Sequence, residues 1–290
     1  MTGRPHGFMI GDRDDYRSML ASVGVDVAAF SGSRVARCPV CSNQRKKKLD
    51  KCLSVRVDAH GYVFRCHHCR WKGGSDRHTA AAHRASPTPR RDDQAAKIET
   101  ALRIWDASDD PRGTATERYL ASRGLPLLDE IAGEVLRFCP SLYFDGRLVP
   151  GMVALLRDIE TNTGCGIIRT FFDEHGQKIT RRMLGRAHGA TVKLDTDAHV
   201  AEGLHVCEGV ETGIAAMIAG YRPVWALGSA GAIGKFPVFD GIEALTILGE
   251  RGDANAQAVE EVSARWHNAG REVLIVEMLV GDDLNDAWCR

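Results

Sequence analysis

The chain has 290 residues, 44% apolar and 26% charged, which is room for one large domain or two modest ones with their own cores. No apolar run approaches the ~20 residues of a membrane span, and the N-terminus has no apolar stretch of signal-peptide length, so a cytoplasmic protein without a membrane partner is expected. The zero net charge hides an asymmetry: residues 1–95 hold 18 Lys+Arg against 9 Asp+Glu, and the remainder 20 against 29, so the front suits a polyanion and the back suits metal cations.

In chain order, residues 1–35 carry a short helical pattern in which Tyr16, Met19, Leu20 and Val23 share a face. Four of the nine cysteines then form two pairs, Cys38-Pro-Val-Cys41 and Cys66-His-His-Cys69. Each CxxC turns two thiolates onto one cation, and two pairs complete a tetrahedral sulfur site that suits one structural zinc ion. Between them, Leu53, Val55 and Val57 alternate up to a turn at Asp58–Gly61, and Tyr62–Arg65 returns, which predicts the hairpin of a zinc ribbon over residues 36–74. Cys52 is a spare thiol, and His67 and His68 are alternative ligands to the preferred all-cysteine set. The basic loop Arg45-Lys46-Lys47-Lys48 and the aromatic residues near it, with Trp71 the preferred stacking residue, predict a surface for single-stranded DNA.

Residues 75–95 are rich in Ala, Pro, Ser and charge, which predicts a flexible linker. From Lys97 the pattern is globular again. Ile98, Leu102 and Trp105 mark one helix, GTATERYLASRGL a second that ends at Gly124, and residues 150–195 read as strands and turns. The segment 96–198 is therefore expected to be a basic, mixed α+β subdomain.

From residue 199 to 290 strands and helices alternate, which predicts an α/β domain with a mainly parallel sheet flanked by helices. Acidic groups follow three of its strands: Glu208 with Glu211, Glu250 with Asp253, and Gly281-Asp282-Asp283-Leu-Asn285-Asp286. Ligands of parallel sheets sit at the strand C-termini, so these carboxylates are expected to converge as oxygen ligands for Mg²⁺ or Mn²⁺. GSAGAIGKF is not a phosphate-binding P-loop, because Ser229 and Phe236 stand where that motif needs Gly and Ser/Thr.

CEGVETGIAA, VWALGSAGAIGKF, LTILGERGDANAQA and GDDLND, in that order, resemble a Toprim domain. With the four cysteines in front and GTATERYLASRGL, LRFCPSLYF and IIRTFFDEHGQKI between, nearly the whole chain from Cys38 is similar to the zinc-finger/Toprim DNA primases of phages, plasmids and other mobile elements. The resemblance implies synthesis of a short primer from nucleoside triphosphates on a single-stranded template, with any helicase a separate partner. It implies catalytic or metal-binding roles for Glu208, Glu250, Asp253, Asp283 and Asp286. Arg169, Lys178, Arg182 and Lys193 match basic positions expected to hold triphosphate or template. The chain departs from the family in having Glu250 for the first Asp of an Asp-x-Asp motif and Asp253 one residue beyond the second; either a one-residue bulge at the strand end restores the geometry, or metal binding is weakened and the chain binds nucleic acid without synthesising primer. Bacterial recombination mediators, which bind DNA without catalysis, also join a four-cysteine finger to a Toprim domain. Their finger lies close to that domain, whereas about a hundred residues and a linker intervene here.

Overall fold

The computed structural model describes residues 13–44, 48–49, 51–59, 61–75, 91–277 and 284. The chain divides into two units between Thr88 and Pro89.

In the first unit, α1 (Arg13–Ala21) precedes a four-stranded antiparallel sheet of β1 (Gly32–Ala36), β2 (Leu53–Asp58), β3 (Gly61–Cys66) and β4 (Lys72–Gly74), in that order. The alternation in β2 decides which face is buried. Leu53, Val55 and Val57 turn inward with Tyr62 and Phe64 of β3, while Arg56 and Arg65 stay exposed. From α1, Leu20 is fully buried and Tyr16 meets the Phe64 ring edge-on at 5.2 Å. β4 passes close beneath those rings: a Cβ on Gly73 would lie 2.7 Å from Phe64 and 2.9 Å from Tyr16. The segment 1–35 is not purely helical, because it contains most of β1. That strand escapes detection in the sequence since its first four residues are all exposed and no apolar alternation marks it.

The second unit opens with α2 (Arg91–Asp106), which starts inside the segment expected to be linker. The first turn of α2 is polar in sequence, Arg-Asp-Asp-Gln, so apolar periodicity begins only later. Residues 76–90 of that segment lie outside the described residues. Thr114 caps α3 (Ala115–Ser122) by accepting from the Thr116 amide at 3.1 Å. Five strands follow: β5 (Leu136–Phe144), β6 (Arg147–Asp158), β7 (Gly164–Phe172), β8 (Lys178–Gly185) and β9 (Ala190–Lys193). Then come β10 (Gly203–Cys207), α4 (Val210–Ile218), β11 (Val224–Ala226), α5 (Ala230–Gly234), β12 (Ala244–Leu248), α6 (Asp253–Asn268) and β13 (Glu272–Val276).

All nine strands of this unit form one sheet in the order β13-β12-β10-β11-β9-β6-β7-β8, with β5 on β6. β10, β11, β12 and β13 run parallel, as the sequence predicts. The buried strand β9 pairs antiparallel with both β6 and β11, so the middle segment and the C-terminal domain are halves of one sheet. Alternate residues feed two cores. Cys207, Ala226 and Leu248 pack with Ile214 and Ala215 of α4, whereas Val206, Trp225 and Ile247 pack with Val262 and Trp266 of α6. Helices therefore flank both faces, and the C-terminal ends of the neighbouring strands β10 and β12 come side by side.

Candidate metal centre and candidate active site

In the first unit the Sγ atoms of Cys38, Cys41, Cys66 and Cys69 all lie within 4.8 Å of one another. Cys38 to Cys69 and Cys41 to Cys66 are each 3.7 Å. Tetrahedral zinc with bonds of about 2.3 Å has sulfur–sulfur edges of roughly 3.8 Å, so the four thiols fit such an ion. Cys66 and Cys69 flank the turn that ends β3, and the amides of His68 and Cys69 both donate to Cys66 Sγ at 3.4 Å. On the opposite knuckle, Ser42 Oγ accepts from the Cys38 amide at 2.8 Å. Burial pushes the Cys38 thiol up to about 11, so a cation is what would favour thiolates here. His67 is engaged elsewhere, with Nε2 2.7 Å from Ser54 Oγ. Cys52 is a fifth sulfur outside the group, 3.7 Å from Cys66 and 4.0 Å from Cys41.

The aromatic residues around the ribbon are mostly core. Tyr62 and Phe64 are buried, and Trp71, preferred for base stacking, is half-buried with its ring centroid 4.2 Å from that of Phe64. Arg45, Lys46 and Lys47 lie outside the described residues, and Lys48 is exposed. The outward face of the sheet carries a basic group of which only Arg56 stood out in the sequence. Arg65 of β3 pairs across the strands with Lys72, and Arg56 lies on the same face from β2, all three exposed.

In the second unit, Glu208 follows β10 and Glu250 follows β12. Gly209 caps α4 and leaves room for the Glu250 carboxylate, whose Oε1 would lie 3.7 Å from a Cβ there. Thr212, one turn into α4, donates to Glu250 Oε1 at 3.2 Å, and Asn255 Oδ1 accepts from the Glu250 amide at 3.2 Å. Asp253 is the first residue of α6 and is exposed. β12 pairs in regular register to Leu248, and Gly252, just before Asp253, adopts φ +136°, a conformation suited to glycine. Among the described residues, only the four cysteines gather three or more potential ligand atoms tightly, so Glu208, Glu250 and Asp253 stand further apart. Asp283 and Asp286 lie outside the described residues.

A Toprim model matches residues 203–290, which contain both carboxylate loops. The C-terminal half of this sheet is a Toprim domain. Residues 95–194 match a domain of unknown function, DUF7146. No curated protein matches the chain. Among solved structures, the chain is similar to the primase fragment of the bacteriophage T7 primase-helicase protein, at 16% identity and TM-score 0.43 over 80% of this chain and 90% of that one. It is similar to the zinc-binding and RNA polymerase domains of Aquifex aeolicus primase, at 15% identity and TM-score 0.45 over 96% and 81%. It is also similar to the E. coli primase catalytic core, at 13% identity and TM-score 0.45 over 67% and 74%. No described helix is long and apolar enough to cross a membrane.

Two cations of β8 reach the Toprim carboxylates. Arg181 Nη2 lies 3.3 Å from Glu208 Oε1 and donates to the Gly228 carbonyl at 3.2 Å. Lys178 Nζ lies 2.5 Å from Glu211 Oε1, to which Tyr119 of α3 also donates at 2.8 Å. Arg181 was not among the basic positions matched by the resemblance, and simple alternation from Lys178 would put Arg182, not Arg181, on its face. The strand breaks that alternation: Phe171 faces Thr180 but Phe172 faces Lys178, a β-bulge. Arg182 consequently pairs with Asp145 and lies over the Phe144 ring. Arg169 sits opposite Arg182, over Phe171, and burial followed by the Arg182 charge lowers its pKa. Lys193 is closed in rather than presented to a ligand, with its side chain 2% exposed, its ammonium 2.6 Å from Asp197 and lying over Trp225.

Glu211 is buried, which opposes its ionisation, yet the Lys178 charge and the hydrogen bonds from Lys178 and Tyr119 bring its pKa from 4.5 to about 2. A depressed carboxylate contributes stability that is present above pH 4.5 and is lost as pH falls towards 2. Between those values the melting temperature of Glu211→Gln should fall less steeply than that of the wild type, measured by circular dichroism across the range. Parallel curves would remove this contribution.

Proposed function

We propose that the chain is a DNA primase, a nucleotidyltransferase that joins nucleoside triphosphates into a short primer on a single-stranded DNA template. The reading is carried by one arrangement: Glu208 and Glu250 at adjacent strand ends of the Toprim sheet, with Arg181 and Lys178 reaching the same turn from β8. Mg²⁺ binds through one or two carboxylates plus substrate phosphates rather than in a closed cage, and Glu208, Glu250 and Asp253 are the three carboxylates from which such ligands would be drawn. Bound there, the metal would supply charge neutralisation at the phosphate oxygens. Arg181 and Lys178 add fixed positive charge where triphosphate charge accumulates, the electrostatic task of phosphoryl transfer. Asp283 and Asp286 complete the proposed acidic set. Arg169 and Arg182 are assigned to the template, while the enclosed Lys193 supports the β9–β11 junction.

The four cysteines hold one structural zinc. The ribbon binds template DNA through Arg56, Arg65 and Lys72 together with Arg45, Lys46, Lys47, Lys48 and Trp71. A separate helicase would supply the moving fork. The test is extension of labelled NTPs on mixed single-stranded templates with Mg²⁺ or Mn²⁺. Template-dependent products support the enzyme, while firm DNA binding with no product under either metal leaves a non-catalytic DNA-binding protein of replication or recombination. For the ribbon face, Arg56→Ala/Arg65→Ala/Lys72→Ala should reduce the slope of log affinity against log salt by about 2, at roughly 0.7 per phosphate contact on single strands. An unchanged slope in a fluorescence-anisotropy titration would place the DNA elsewhere.

A further inference from the structure

We propose that Glu211 and Tyr119 are positioning residues that orient the Lys178 ammonium towards the triphosphate of an incoming nucleotide, an inference that rests on the primase reading above. Three remote segments meet at one carboxylate: Tyr119 comes from α3, Lys178 from the edge strand β8, and Glu211 from the first turn of α4 in the Toprim domain. The β-bulge puts Lys178 beside Arg181, so two rungs cross from β8 to the α4 turn, Arg181 to Glu208 and Lys178 to Glu211.

The rungs differ in character. Glu208 is partly exposed, at 23%, whereas the Glu211 side chain is 9% exposed and satisfied by two donors. A carboxylate so enclosed cannot itself meet a ligand, but the Lys178 side chain is 34% exposed and keeps two further N–H donors on its ammonium. Among the described residues Glu211 is its one hydrogen-bond partner. A lysine on an edge strand loses considerable rotamer freedom when it grips a phosphate, and an anchor already made at 2.5 Å removes much of that cost. Tyr119 has a distinct part. Its phenol takes up a share of the Glu211 charge, so that Lys178 is held without being fully neutralised.

The experiment is a double-mutant cycle read on KM for ATP, kcat and melting temperature in primer synthesis with Mn²⁺. Lys178→Ala should raise KM about tenfold, and Tyr119→Phe about threefold with kcat held. In the double variant KM should equal that of Lys178→Ala alone, because Tyr119 acts through Lys178. Glu211→Gln gives a second route should Tyr119→Phe fold poorly. It keeps an acceptor for both donors and should give an intermediate KM that Lys178→Ala again masks. Multiplying KM effects, or changes confined to melting temperature or kcat, would overturn the positioning role. A wild type that makes no primer overturns the primase reading and this inference with it, whereas an active wild type whose variants leave KM unmoved overturns the inference alone.

Discussion

Replacing Glu208 by glutamine should lower the rate of primer synthesis by about 10²–10³, the usual cost of removing one electrostatic contact to a transition state, while DNA affinity and fold persist. Glu208 sits in the turn between β10 and α4, its carboxylate on the surface side of Cys207, which is fully buried. Glutamine fills the same space and still accepts from Arg181, whose second contact, to the Gly228 carbonyl, is independent of the substitution. What disappears is one negative charge beside Arg181. The loss therefore falls on kcat, measured as labelled primer formed at saturating NTP and template. Glu250→Gln should behave similarly but with a structural component, because Thr212 donates to its carboxylate. Undiminished synthesis in both variants would remove the Toprim edge from the chemistry, and an equal loss of DNA affinity in Glu208→Gln would assign the residue to the template instead.

The parallel half of the fold was legible because β10, β11 and β12 are buried on both faces, and short apolar runs such as LTIL between turn residues have few other meanings. The hairpin of the ribbon was legible for the opposite reason, since one face of β2 is wet and its alternation is clean. Two things were not legible. β1 shows no alternation of buried and exposed residues and is carried by its ladder to β2, and the first turn of α2 is polar, so neither shows a pattern of hydrophobicity. The cations of the candidate site depend on the bulge in β8, and a one-residue irregularity exchanges the faces of everything before it. Arg182, matched by the resemblance, pairs with Asp145 on the other face, and Arg181 takes the place beside Lys178. Tyr119 was invisible for a different cause: it lies 92 residues from Glu211, and its hydroxyl finds that carboxylate only through the tertiary fold. The acids themselves could be read, because a carboxylate just past a buried strand is a local feature.

Removing the metal should unfold the first unit and leave the second standing. With α1 and four short strands, the first unit has a core of a dozen buried side chains, and four of these are cysteines: Cys38, Cys41, Cys52 and Cys66. Such a core is small for stability on its own, and structural zinc adds about 10–16 kcal/mol in peptides of this kind. Cys38 and Cys41 precede β2 while Cys66 and Cys69 end β3, so the ion ties the loop before the hairpin to the hairpin's end. Without it, the first knuckle is tied to the hairpin through the β1–β2 ladder and the contacts of Cys52 with Cys41 and Cys66. The full chain should therefore bind one zinc, and a strong chelator should abolish the first of two thermal transitions while the second keeps its midpoint. Cys41→Ser, at a buried ligand, should do the same without chelator, and tryptic cleavage at Arg56 and Arg65 should follow in both cases. The second unit buries Trp266, Phe171 and Phe172 fully in cores of its own, which is why its transition should not move. Absence of zinc by metal analysis, or a chelated protein that keeps both transitions, would mean that the thiols pack as core and that the ribbon stands without an ion.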